Sequence, residues 1–236
     1  MLQTRHTLAY IEDAARETLL PALLAALPAP MRYSDMQDLV TEVFIEDRIP
    51  GIVCRPTGAV PEGGGQLGFA FPFRMGAARV RSAVPVAAGQ VTSYVTPWEV
   101  MALAQMLGDT AHPVIAALED IGHRTGVQIG LIGSLAMKIV TGLGYLRPDS
   151  DIDIVLRAED PLMLEAAQAD LQMLSARTGL RIDAEVVLPE GTGVKLSELL
   201  SAADAVLGKT ISGVELISRN RLSEIMSLRQ NSVIAG

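Results

Sequence analysis

A chain of 236 residues, 49% hydrophobic and 19% charged, carries enough apolar material for a real core, which excludes a disordered segment. Its formal net charge of −8 argues against sequence-independent nucleic-acid binding, where Lys and Arg must neutralise phosphates, but leaves a nucleotide substrate open. The single cysteine, Cys54, excludes an intramolecular disulfide, and no apolar run approaches the ~18 residues of a membrane helix. Glu12, Asp13 and Glu17 stand where a secretory leader needs an apolar stretch, so a cytoplasmic protein without membrane association is expected.

Leu8, Ile11, Ala15, Leu19, Leu20, Leu23 and Leu24 recur at spacings of three and four, which predicts a helix over residues 6–28, stopped by Pro28 and Pro30. Residues 34–48 alternate apolar and charged positions. Ile49-Pro50-Gly51 then reads as a turn into a short strand ending at Cys54, and the Pro- and Gly-rich stretch 57–66 as a loop. Leu67–Phe71, Ala78–Val84 and Gln90–Val95 are short apolar stretches between Gly and Pro, the pattern of strands in a small β-rich or α+β domain. Thr96 can cap a helix that has Pro97 at its first position, which places a domain boundary at about residue 96.

Beyond it come helices at about 97–107 and 111–125, a strand at Val127–Ile132, a Gly133-Ser134 turn and a short helix from Leu135 to Thr141. After the loop Arg147-Pro148-Asp149-Ser150 follow a strand at Asp151–Leu156, a helix at 161–177 and a strand at Leu180–Leu188. Helix is expected at 195–206 and near 218–229, with Val214–Ile217 extended between them.

This second part contains a phosphate-transfer pattern. Gly133 lets backbone approach a ligand closely, and a helix beginning there offers N–H groups and the positive end of its dipole to phosphate. Gly-Ser alone fits an ordinary strand-to-helix turn equally well. Asp151 and Asp153 are two apart on a strand and so share a face, with Cα atoms about 6.5–7 Å apart. Carboxylates held so close repel unless a cation intervenes, and Mg²⁺ or Mn²⁺ suits an all-oxygen site. In the third strand Arg181, Asp183 and Glu185 share a face; if that strand pairs beside the Asp151 strand, Asp183 or Glu185 supplies a third carboxylate, as ligand or as general base. His6, His112 and His123 lack metal-ligand spacing and read as surface or packing residues. Cys54 reads as buried and inert.

The run Gly133-Ser134 … Ser150-Asp151-Ile152-Asp153-Ile154 resembles the signature of the DNA polymerase β-like nucleotidyltransferase superfamily. Sixteen residues separate Ser134 from Asp151, more than usual there, which implies an extended loop. Within it, Thr141-Gly142-Leu143 and Tyr145-Leu146, followed by the Asp151 strand, resemble a narrower family, the phosphoribosyl-dephospho-CoA transferases that act as holo-acyl-carrier-protein synthases of malonate decarboxylase. Arg181-Ile182-Asp183 with Glu185, Leu188-Pro189, Val206–Thr210 and Gly213–Leu216 are similar to later parts of that family, and Ile49–Arg55 and Gly68–Phe73 to its first domain.

The resemblance implies an α+β fold: a polymerase β-like nucleotidyltransferase domain at 97–236, a mixed sheet with helices, preceded by a small α+β or β-rich substrate- or carrier-binding domain at 1–96. It implies catalytic Asp151, Asp153 and Asp183, with Asp151 and Asp153 as ligands of Mg²⁺ or Mn²⁺. Gly133, Ser134, Lys138, Lys195 and Lys209 would bind substrate phosphate, with Arg147 a further candidate. The implied reaction moves 2′-(5-triphosphoribosyl)-3′-dephospho-CoA onto a serine of the acyl carrier protein subunit of malonate decarboxylase, releasing pyrophosphate. A nucleotidyltransferase acting on a small molecule, and a non-catalytic binding module of the same fold, are the competing readings.

Overall fold

The computed structural model describes residues 1–158 and 160–233. They form an α+β structure in two compact units, one of Met1–Thr96 with Thr141–Tyr145, the other of Pro97–Val140 with the chain from Leu146 onward.

The first unit is built on an antiparallel five-stranded sheet. Its elements are β1 (Leu8–Ile11), α1 (Asp13–Ala25), α2 (Ser34–Ile45), β2 (Gly51–Cys54), β3 (Gly65–Met75), β4 (Ala78–Val86) and β5 (Val91–Val95), and the strand order is β4-β3-β2-β1-β5. The helical periodicity from residue 6 is therefore wrong for its first turn. Leu8 lies opposite both Ile52 and Val95, so residues 8–11 fill the slot between β2 and β5. An apolar run this short fits either period, and two flanking ladders outweigh the local preference.

Residues 34–45 are helical because their apolar members Met36, Val40, Val43 and Phe44 fall on one buried stripe. Phe44 meets Phe69 of β3 edge to face, with centroids 4.9 Å apart, and Ser82 of β4 donates to the Leu23 carbonyl of α1. Arg16 lies inside this unit with 2% of its surface exposed. Its guanidinium donates to the Phe44, Arg48 and Ile49 carbonyls at 2.8, 3.0 and 3.1 Å. Those carbonyls end α2 and lead into β2, so the charge ties the helix exit to the sheet. The segment Thr141–Tyr145 also belongs to this unit: Tyr145 is buried and its hydroxyl donates to Ala70 O at 2.9 Å.

The second unit contains α3 (Pro97–Leu107), α4 (Val114–Thr125), β6 (Gln128–Leu131), α5 (Gly133–Thr141), β7 (Ile152–Arg157), α6 (Pro161–Thr178), β8 (Ile182–Val187), β9 (Gly193–Lys195), α7 (Leu196–Leu199), β10 (Ala205–Lys209), β11 (Val214–Ser218) and α8 (Arg219–Val233). Its sheet has the order β11-β10-β9-β8-β7-β6. β7 and β8 run parallel, joined through α6; the other neighbours are antiparallel. On one face of β7, Ile152, Ile154 and Leu156 are exposed by 1% or less. The predicted helix at 195–206 is mostly absent. Val194 pairs with Val186 and Gly208, and Val206 with Ile217, which makes two strands around the four-residue α7. Sheet pairing again overrides helix propensity. No helix among the described residues is long and apolar enough to cross a membrane.

Replacing Arg16 with Met strands the buried Phe44 and Ile49 carbonyls and the part-buried Arg48 carbonyl, and is expected to cost about 2–4 kcal/mol. Urea denaturation followed by circular dichroism reads this as a lowered midpoint with an unchanged slope.

Candidate active site

The site starts where β6 turns into α5. Gly133 opens the helix with φ of +66°, a left-handed conformation that favours glycine. A Cβ there would lie 2.1 Å from Asp153 Oδ2 and 2.8 Å from its Cγ. The sequence reading gives this glycine to a ligand; the structure shows that the group pressed against it is the Asp153 carboxylate. Ile132, just before the turn, donates its N–H to Asp153 O at 3.1 Å, which locks β6 to β7 at this level. The first N–H groups of a helix have no intrahelical acceptor, so the start of α5 presents a positive dipole end beside that carboxylate. Ser134, the second residue of α5, is 4% exposed.

The parallel register sets the second relation. Asp153 lies opposite Asp183 and Val155 opposite Glu185, so these side chains share a face, with Cα atoms of neighbours about 4.8 Å apart. Further along that face the sheet is closed: Gly130 has room only for hydrogen because Pro97, Trp98 and Val155 press against it within 3 Å of where a Cβ would stand. The Arg157 guanidinium sits over the Trp98 ring, 4.5 Å from its centroid. The sequence pattern had no means of finding this Trp98–Arg157 stack, because the partners are far apart in the chain. Asp151 precedes β7 by one residue. It is delivered by a tight loop in which Ser150 N–H donates to Arg147 O and Arg147 N–H to Ser150 Oγ, both at 3.0 Å.

Three cations face these acids. Arg181 Nε lies 2.6 Å from Asp151 Oδ1, Lys195 Nζ 3.0 Å from Asp183 Oδ1, and Lys209 Nζ 3.3 Å from Glu185 Oε2. Hydrogen bonding to Asp183, and then its charge, raise the Lys195 pKa. Glu185 is 9% exposed, whereas the Asp183 side chain is 53% exposed. Lys195 and Lys209, expected from the resemblance to bind phosphate, each lie on an acid of the carboxylate face. Lys138 does not: its ammonium donates to the Ala111 carbonyl at 2.8 Å, which ties α5 to the chain ahead of α4. Arg147 meets the site through its backbone.

The remaining candidates have structural partners. His112 Nδ1 accepts from Val114 N–H at the start of α4, and His123 faces Glu119 on the same helix. Cys54 is half-buried, with its thiol pKa raised by burial.

An oxygen-seeking divalent cation fits what is present. The contact of Arg181 with Asp151 Oδ1 is close but off the N–H axis, so this shielded oxygen has no hydrogen-bond donor. Gly133 lets the Asp153 carboxylate lie against the α5 turn, where a side chain would displace it. Among the described residues no group of three or more His, Cys, Asp or Glu stands gathered around a common point. A pair of carboxylates is the arrangement Mg²⁺ uses when substrate phosphate completes its shell.

Family comparison then places the whole chain. Residues 99–220 match the family model described as "Phosphoribosyl-dephospho-CoA transferase MdcG C-terminal domain", and residues 4–97 match the corresponding N-terminal domain. The chain belongs to the phosphoribosyl-dephospho-CoA transferase family and is an enzyme of the transferase class. It is 28% identical over 222 residues to a phosphoribosyl-dephospho-CoA transferase of Xanthomonas campestris pv. campestris, covering 92% of this chain and 95% of that one. A protein of the same name from Bradyrhizobium diazoefficiens is 25% identical over 219 residues, 92% of this chain and 91% of the relative. One from Pseudomonas syringae pv. tomato is 34% identical over 106 residues, 45% of this chain and 46% of the relative. No solved structure matches the chain.

Because a Cβ at Gly133 would collide with Asp153, Gly133→Ala is expected to displace that carboxylate as well as strain the turn. Transferase turnover should fall by more than about 100-fold, while far-ultraviolet circular dichroism stays native-like; near-normal turnover would show that the Asp153 position does not matter.

Proposed function

We propose that this protein attaches the prosthetic group of malonate decarboxylase. It would transfer 2′-(5-triphosphoribosyl)-3′-dephospho-CoA to a serine of the apo acyl carrier protein subunit by polymerase β-like nucleotidyl transfer. The observation that carries the reading is the pairing of Asp153 with Asp183 across β7 and β8, two residues from Asp151 and against the α5 turn. Family membership supports the dephospho-CoA-derived substrate, since the relatives are named for it.

The serine oxygen forms a bond to the α-phosphorus, the bond from that phosphorus to the bridging oxygen breaks, and pyrophosphate leaves with the electron pair. The serine proton goes to a carboxylate. Both acids have a lysine partner, but Asp183 suits that task better than Glu185 because it is exposed opposite Asp153, while Glu185 is buried. Asp151 and Asp153 would hold Mg²⁺ or Mn²⁺, which when bound neutralises phosphate charge and stabilises the attacking and leaving oxygens. The start of α5, with Gly133 and Ser134, lies where N–H groups can receive the triphosphate. Lys195 and Lys209 supply positive charge on the same face; Lys138, committed to the Ala111 carbonyl, is left out of this role. The N-terminal domain, residues 1–96, would bind the carrier or the CoA-like arm.

Intact mass spectrometry of the apo carrier subunit tests this directly, with the protein, Mg²⁺ and the triphosphoribosyl precursor present. A mass gain equal to the prosthetic group is expected, and Asp151→Asn or Asp153→Asn should slow it by more than about 100-fold. No gain beside an active control enzyme would reject the carrier reading; modification of a small molecule from ATP in a parallel reaction would then replace it. Ser134→Ala should be milder, about tenfold or less, since the backbone N–H groups of α5 remain.

A further inference from the structure

Arg181 brings a third positive charge to the carboxylate face, beside Asp151. Its root is fixed: Ile152 N–H donates to Arg181 O at 2.8 Å, which holds its Cα beside the residue that joins Asp151 to Asp153. Its head is held loosely. Nη2 donates to Asp149 O at 3.3 Å, and Nε touches Asp151 Oδ1 at 2.6 Å without the alignment of a hydrogen bond. The side chain is 75% exposed, against 47% for Lys195 and 44% for Lys209. An exposed, misaligned ion pair is weak and costs little to open.

The two ends of this contact have better partners elsewhere. A carboxylate oxygen with no donor is a good ligand for a hard cation. A guanidinium is planar, permanently charged and shaped to grip two phosphate oxygens at once, which a lysine does only as a point charge. Substrate phosphate held beside Asp151 and Asp153 falls within the reach of an arm rooted next to Ile152.

We propose that Arg181 is a substrate-binding cation with two positions. It neutralises Asp151 until the substrate arrives, then exchanges that carboxylate for the triphosphate, so that the order of binding is written into one side chain. The inference rests on the reading of Asp151 as a ligand of the divalent ion. It assigns to Arg181 a contact with the phosphates that leave, and makes it a competitor of the cation when substrate is absent. No bond is made or broken in the exchange. Positive charge moves from a carboxylate to a phosphate, and Asp151 turns from a guanidinium to a metal ion.

Two measurements on the full chain separate this from a purely structural role. Free Mn²⁺ is read by electron paramagnetic resonance in titrations of wild type, Arg181→Gln, Arg181→Lys and Asp151→Asn without substrate. Steady-state kinetics with the triphosphoribosyl precursor then gives KM and kcat, with melting temperatures as a check on folding. Removing a competitor should make Arg181→Gln bind Mn²⁺ roughly two- to five-fold tighter than wild type, the scale of an exposed ion pair. Its KM should rise about tenfold, as expected for the loss of a charge-assisted phosphate contact, and Arg181→Lys should fall between the two. An arginine that merely shaped Asp151 would, on removal, leave Mn²⁺ binding weaker or unchanged; either result, or an unaltered KM, overturns the proposal. Asp151→Asn identifies which reading failed. If it loses Mn²⁺ while Arg181→Gln does not tighten, only the two-position role falls. If it binds Mn²⁺ like wild type, the metal assignment fails and takes this inference with it.

Discussion

The parallel pairing of β7 with β8 is the constraint on which the rest of the site depends. It brings residue 153 opposite residue 183 and residue 155 opposite residue 185, so acids from two separated segments arrive on one sheet face. A slip of one residue would turn Asp183 and Glu185 toward the side occupied by Ile152, Ile154 and Leu156, which is fully buried. That apolar side makes the register expensive to change. The hydrophobic core of the second unit thus sets where these acids stand as well as stability.

Gathering negative charge on one face requires compensation, and the chain supplies it from several strands. The most enclosed acid, Glu185, is paired with Lys209, whose side chain comes from two strands away. Asp183, half-exposed, has Lys195 from the next strand. Asp151 has Arg181, close but without a hydrogen bond to its shielded Oδ1. Asp153 lies against the α5 turn, where the lack of a side chain on Gly133 makes room for it and the helix dipole favours its charge. Placing each acid against a cation or a helix start matters because an uncompensated charge away from water is costly.

The stretch between α5 and β7 serves a second purpose. Its length beyond the usual gap implies a loop, yet Thr141–Tyr145 is built into the first unit, where the Tyr145 hydroxyl meets the Ala70 carbonyl of β3 and burial raises the phenol pKa. The far end of the same stretch closes on itself through Arg147 and Ser150 immediately before Asp151. One connection therefore belongs to one unit at its start and positions a carboxylate of the other at its end.

The sequence by itself determined the family, the α+β class, the strand that carries Asp153 and the glycine turn before it. These are encoded locally, in a motif, in period-two alternation and in Gly and Pro punctuation. The sequence could not distinguish a strand from the first turn of a helix at Leu8–Ile11, nor two strands from a helix around Leu196–Leu199, because runs that short satisfy both periods. It named Lys138 among the phosphate contacts, although that ammonium is tied to a carbonyl, and it gave Arg181 a face but no partner. Which cation answers which acid, that Gly133 makes room for Asp153, and that Asp183 rather than Glu185 stays open are all consequences of register and depth. Both are properties of strands far apart in the chain, and only tertiary packing decides them.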